Sequence, residues 1–302
     1  MSQRLQRYLP ALLLILAILW GLSFPAISLG LEYLPPLLFA AFRYDVAAVL
    51  LLGYTVVTSD HWFPSGRDNA VAIVGGGVFL IGGNGLLFIG QQTVPSGVAA
   101  ILQALIPIVT ALWALVLLGE RLSTMGIVGV AVGFVGIGLI VQPDSGNLLD
   151  GDTVGRLIIL GQIVSVSLGG VLIQRAKPSM DRIAMTGWAM LVGGIVLHAL
   201  SLTWRERVTM TATEPLALAS ILYLGVFSTA IAYIIYFFVL EERGAFEASL
   251  VTYLVPIVGT TAGVFFLDES IGVGSIVGFV VVVTGFALMK RHVVEDMIAA
   301  TG

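Results

Sequence analysis

Cysteine is absent from this chain, which excludes disulfides and thiol chemistry and says nothing of its compartment. Charge is nearly as scarce. Asp, Glu, Lys and Arg make up 11% of 302 residues, against about 25% in a soluble domain. A chain this poor in charge cannot cover a globular surface with polar groups, so a soluble fold is excluded. The three histidines, His61, His198 and His292, are scattered, so no metal site is expected. No cofactor and no nucleic-acid partner are expected either. The apolar stretches are joined by short loops, none of which could fold as a separate domain.

What the chain does have is hydrophobic length. Apolar residues account for 58% of it, and the mean hydropathy is +1.04. A helix needs about 20 largely apolar residues to cross a bilayer. Ten stretches qualify, running roughly Tyr8 to Gly30, Pro36 to Val57, Ala70 to Gly90, Ser96 to Leu118 and Thr124 to Val141, then Val154 to Ile173, Ile183 to Leu202, Leu216 to Val239, Ala245 to Leu267 and Ile271 to Met289. Arg4 and Arg7 give the first the look of a signal peptide. It is too long for one and nine more come after it, so it reads as a retained helix.

The second five stretches repeat the first five at an offset of 149 residues. Pro107 falls on Pro256, Leu118 on Leu267, Glu120 on Glu269, Gly129 on Gly278 and Gly136 on Gly285. A Pro, a Glu and two Gly in one register are hard to obtain by composition alone, and internal repeats decide a fold. Five crossings per repeat make the second repeat enter from the opposite side. The expected fold is therefore an all-α integral membrane protein with ten transmembrane helices in two inverted five-helix repeats, residues 1–149 and 150–302, a layout shared by many secondary transporters.

Basic residues set the orientation. With the N-terminus in the cytoplasm, ten fall inside: Arg4, Arg7, Arg67, Arg121, Arg175, Lys177, Arg182, Arg243, Lys290 and Arg291. Three fall outside: Arg156, Arg205 and Arg207. The connection after the fifth stretch carries Asp144, Asp150 and Asp152 and no basic residue, and is placed outside. Both termini are then cytoplasmic, in a plasma or inner membrane.

Polar and aromatic residues recur on single helical faces, because positions three or four apart share one side of a helix. Six stretches carry such a face. Trp20, Ser23, Phe24 and Ser28 lie in the first, Asn84, Phe88 and Gln91 in the third, and Gln103, Pro107 and Thr110 in the fourth. Gln162 and Ser165 lie in the sixth, Thr229, Tyr233, Tyr236 and Phe237 in the eighth, and Thr252, Tyr253, Pro256 and Thr260 in the ninth. One such residue alone reads as packing between helices. Six stripes together point to a central cavity, lined by Trp20, Phe24, Asn84, Phe88, Gln103, Gln162, Tyr233, Phe237 and Tyr253. Arg43 joins this set. Burying an Arg costs about 2.5–3.5 kcal/mol on insertion scales, so it should face the interior. Asp45, two positions on, points elsewhere. Arg43 serves either as anchor for a substrate carboxylate or as a structural donor to helix-end carbonyls. Pro107 and Pro256 should bend their helices. Glu120 and Glu269 read as caps on the fifth and tenth helices. The glycine runs at 75–77 and 82–85 sit within a stretch, lack a following Lys, and read as packing rather than phosphate loops.

These residues resemble the EamA branch of the drug/metabolite transporter superfamily over nearly the whole chain. The resemblance rests on Trp20-Gly21 with Phe24, on Arg43, and on the Pro107-to-Glu120 segment ending Leu118-Gly119-Glu120-Arg121. It rests also on Tyr223 to Tyr233, and on Ala248-Ser249 through Pro256 to Glu269. The chain departs from the family pattern by lacking a Trp in the sixth stretch and by having Asp268 where a Gly is usual. The resemblance implies ten helices, alternating access and export of small metabolites, often amino acids. The expected partners are a small-molecule metabolite and the lipid bilayer, with a proton as the candidate coupling ion. Alternatives are an integral membrane enzyme or lipid-carrier flippase, and a multidrug-type efflux pump. The enzyme would want clustered His, Asp or Ser nucleophiles at one interface, and the pump a carboxylate in the first stretch; neither is found.

Overall fold

The computed structural model describes residues 3–141, 151–208, 210–243 and 245–289. Among these, every regular element is a helix. Eight helices are long and apolar enough to cross a membrane: α1 (Pro10–Leu31), α2 (Pro36–Thr58), α3 (Arg67–Gly90), α4 (Ser96–Leu117), α5 (Thr124–Val141), α6 (Gly151–Ala176), α7 (Arg182–Thr203) and α8 (Pro215–Glu242). Two more apolar helices complete the chain order, α9 (Ala245–Leu267) and α10 (Val273–Met289). Asp144, Asp150, Lys290, Arg291 and His292 lie outside the described residues, as do the side chains of Arg4, Arg7, Tyr8, Arg243 and Glu247.

Several helices outrun the borders that hydropathy suggests. α6 extends three residues at each end because a helix backbone bonds through charged positions where a hydropathy window stops. Arg156 shows the gain: it pairs with Asp152 and donates to the carbonyls of Ile140 and Val141, closing the end of α5. Such carbonyls have no partner within their own helix.

Four crossings are interrupted. Pro25 has no N–H to offer the carbonyl of Gly21, and the helix that contains α1 divides there into Gln3–Gly21 and Ser23–Leu31. In α4 a 3-10 turn spans Gln103–Leu105. Pro107 cannot donate to the Gln103 carbonyl, and the Ile106 N–H takes that oxygen instead. Pro256, its repeat counterpart, lies inside a continuous α9. α3 carries a π-helical stretch at Gly76–Ile81 and α8 another at Tyr223–Ile231. Shifted by 149 positions, the first falls inside the second.

Small residues decide which helices touch. α5 and α10 run antiparallel with backbones in contact. A Cβ added at Gly129 would lie 2.3 Å from the Gly285 oxygen, and one at Gly136 would lie 2.9 Å from the Gly278 oxygen. In α3, Gly76 and Gly77 lie against Ile173, Ala189 and Val192, and Gly85 against Leu197, so the glycine runs serve packing. Gly285→Val should push α10 off α5 and cost about 1–3 kcal/mol by overpacking. A thermal-unfolding series in detergent should show a lowered midpoint for Gly285→Val and none for Gly53→Val, where nothing lies within 4 Å.

The two repeated carboxylates do not cap the helices that the sequence suggests. Ser123 caps α5, its Oγ accepting from the Gly126 N–H. Glu269 reaches across to α4. It accepts from the Ser96 N–H at 2.7 Å, the Gly97 N–H at 3.0 Å and the Ser96 hydroxyl at 3.0 Å. The reason is the backbone before it. Asp268 takes a left-handed φ of 52°, and the Glu269 N–H turns back to the Gly263 carbonyl. That turn aims the carboxylate sideways rather than along α10. Glu120 itself is exposed.

Candidate functional site

The helix interruptions cluster around a cavity of ≈ 200 Å³ in the middle of the bundle. Seven helices wall it. α1 supplies Trp20, Ser23 and Phe24, α2 supplies Arg43 and Tyr44, and α3 supplies Leu80, Asn84 and Leu87. α4 adds Gln103 and Ile106, α6 adds Gln162 and Val166, α8 adds Tyr233, and α9 adds Thr252 and Val255. Three pairs of these are 149 positions apart: Asn84 with Tyr233, Gln103 with Thr252, and Ile106 with Val255.

One wall is a chain of hydrogen bonds. Gln103 Nε2 donates to Gln162 Oε1 at 3.1 Å, and Gln162 Nε2 donates to Asn84 Oδ1 at 3.2 Å. Asn84 Nδ2 donates to the Tyr44 hydroxyl. Since that hydroxyl already accepts, its own proton is available to another acceptor. The chain ties α4, α6, α3 and α2 together with uncharged groups, each satisfied by the next, as buried polar groups require. The opposite wall is aromatic. Trp20 meets Tyr233 edge-on at 6.0 Å and Tyr236 at 5.5 Å.

Arg43 supplies the charge. It is 7% exposed, and its Nε donates to Thr229 Oγ1 at 2.8 Å. Thr229 lies in the π-helical part of α8 and passes its own proton to the Leu224 carbonyl at 2.6 Å. The guanidinium also sits 5.2 Å from the centre of the Tyr44 ring. Among the described residues no carboxylate pairs with Arg43. Asp45 turns away and meets His198 of α7 at 2.8 Å. The site therefore holds a cation bound on one side by a neutral hydroxyl, beside a cavity rich in neutral donors. Such a site can bind an anionic or zwitterionic small molecule.

Trp20, Phe24, Arg43, Asn84, Gln103, Gln162 and Tyr233 all border this cavity. Phe88 does not; it is fully buried and packs edge-on against Phe39 at 5.2 Å. Phe237 packs on Tyr233 and Tyr236. Tyr253 lies against Phe286 at 5.0 Å. The sequence pattern leaves out Tyr44, whose one signal is an aromatic directly after the buried Arg.

A bundle of membrane-length helices with a polar cavity walled by seven of them is compatible with a membrane transport protein. The EamA-like transporter family matches this chain at residues 9–142 and 153–291, and the chain belongs to that family. The "Uncharacterized inner membrane transporter YedA" of Escherichia coli K12 is 30% identical over 276 residues, covering 89% of this chain and 88% of YedA. The "Uncharacterized transporter YvbV" of Bacillus subtilis is 26% identical over 291 residues, covering 96% of this chain and 94% of YvbV. A solved crystal structure shares the fold with a TM-score of 0.65 at 17% identity, covering 94% of this chain and 98% of the other. The chain is thus a multi-pass membrane protein of a transporter family.

Proposed function

We propose that this chain is a secondary active exporter of amino acids or related small carboxylated metabolites. It works by alternating access across ten crossings in two inverted five-helix repeats, 1–149 and 150–302. The observation that carries the reading is Arg43, a buried cation without a carboxylate partner among the described residues, on a cavity where three repeat-related residue pairs converge. The glycine contacts support the inversion. Gly129 meets Gly285 and Gly136 meets Gly278. The offset of 149 turns the first pair into the second with the partners exchanged, as a twofold axis requires. A cavity of ≈ 200 Å³ is also smaller than the ~300–1,000 Å³ of drug-sized sites. That favours a small metabolite over the multidrug alternative. Export is what the family resemblance implies, and a proton is the candidate coupling ion.

The test is twofold. Cells overexpressing the chain should survive toxic levels of the exported amino acid or its analogues, and loaded proteoliposomes should release that compound. No resistance to any carboxylated metabolite, with the protein shown to be in the membrane, would sink the reading. The topology is checked by single-cysteine labelling, which is clean in a chain without native cysteine. A cysteine at Asp150 should react with an impermeant maleimide from outside. Reaction only from the cytoplasmic side would reverse the orientation.

A further inference from the structure

Among the described residues, the Glu269 clasp has a repeat-related counterpart site that is an open pocket. On the clasp side, the first turn of α4 sits in a seat made by Glu269, Thr260 and Ile271. A Cβ at Gly97 would lie 2.7 Å from the Ile271 side chain and 3.1 Å from Thr260 Cα. Shifted back by 149 positions, the seat residues become Glu120, Ala111 and Leu122. These three line a separate pocket of ≈ 190 Å³ at the other end of α4, completed by Arg121, Ser123 and Met289.

The two seats share one backbone geometry. Gly119 has φ 71° where Asp268 has φ 52°. The Glu120 N–H returns to the Ala114 carbonyl as the Glu269 N–H returns to that of Gly263. The backbone thus holds both glutamates alike, yet Glu269 is half-buried on a helix start while Glu120 is exposed and lines a pocket. The element equivalent to the first turn of α4, Ser96-Gly97, is the first turn of α9, Ala245-Phe246.

We propose that the Glu120 pocket is the seat of the first turn of α9 in a second conformation. There Glu120 accepts from the Ala245 and Phe246 N–H groups, as Glu269 now accepts from Ser96 and Gly97. Donors freed at a helix start favour a carboxylate. The two clasps lie at opposite ends of α4. Closing one and opening the other moves access to the cavity from one side of the bundle to the other. The inference rests on the inverted-repeat transporter reading and adds its gates. It also says why the Glu269 clasp is the closed one here: the Ser96 hydroxyl gives it a third bond, and Ala245 has no hydroxyl.

The test is a disulfide cross-link between Thr110→Cys and Ser249→Cys, in membranes, in the otherwise cysteine-free chain. This pair corresponds to Gly259 and Ala100, where an added Cβ would lie 2.7 Å from that of Ala100. The cross-link should form in a fraction of the molecules. Glu120→Gln should lower its yield about fivefold, the size of a lost cap. Ala245→Ser and Glu269→Gln should each raise it. An unchanged yield in Glu120→Gln, or no rise in either of the other two, overturns the inference. The reading beneath it is tested separately by maleimide labelling of single cysteines at Ser123 and Gly272. Labelling of both from one side overturns the inverted repeat itself. Labelling from opposite sides, with a cross-link indifferent to Glu120, removes only the clasp.

Discussion

Replacing Arg43 with Gln is expected to weaken binding of a carboxylated metabolite about tenfold or more, while binding of its amide or ester barely changes. A hydrogen bond to a charged group contributes about 1.5–3 kcal/mol, and 1.4 kcal/mol is a factor of ten. In the structure Nε of Arg43 is held by Thr229 Oγ1 at 2.8 Å, and the guanidinium borders the cavity. Arg43→Lys should recover part of the affinity, because the charge returns without the planar fork that meets both oxygens of a carboxylate. Competition binding with the acid and its amide on purified protein checks this. Equal losses for the two ligands would mark Arg43 as a structural donor to α8, and the anchor would have to be sought among uncharged groups such as Tyr44.

Pro107→Ala should slow transport about tenfold with folded protein still in the membrane, and Pro256→Ala should do markedly less. The two prolines occupy matched positions and do different things. Pro107 leaves the Gln103 carbonyl to the Ile106 N–H of the 3-10 turn Gln103–Leu105, and in that turn Gln103 meets Gln162. With an N–H at position 107, the ordinary bond to the Gln103 carbonyl can form, and a regular helix would turn the Gln103 side chain away from α6. Pro256 lies within a continuous helix. Rates in proteoliposomes at matched protein content decide it. Parent rates in Pro107→Ala would reduce the turn to a packing feature.

The misplaced aromatics show where periodicity stops serving. Phe88 is one turn after Asn84 and should share its face, yet it is buried against Phe39. The 3-10 turn of α3 ends at Asn84 and an α-helix begins at Gly85, so the step from Asn84 to Phe88 starts at a change of helix type. Each change of helix type rotates the later residues of the helix away from the faces that a period of 3.6 assigns them. Thr252 lines the cavity while its neighbour Tyr253 packs on Phe286, a difference of one residue that no helical wheel resolves without the partner helix. Tyr44 escapes the pattern for the same reason, since its place is fixed by Asn84 from α3.

By itself the sequence determined the class, the helix positions and the 149-residue repeat, because crossing a bilayer demands long apolar helices and a duplicated Pro-to-Glu pattern survives in linear order. It also singled out Arg43, since one cation inside an apolar helix must find an interior. Only the tertiary structure decided which faces meet. It gave Asp45 to His198 rather than to Arg43, and Arg43 to Thr229. It sent Glu269 to the start of α4 rather than of α10. Those choices depend on left-handed turns, π-helical stretches and glycine contacts between helices far apart in the chain, and a pattern read along one helix carries no information about its neighbours.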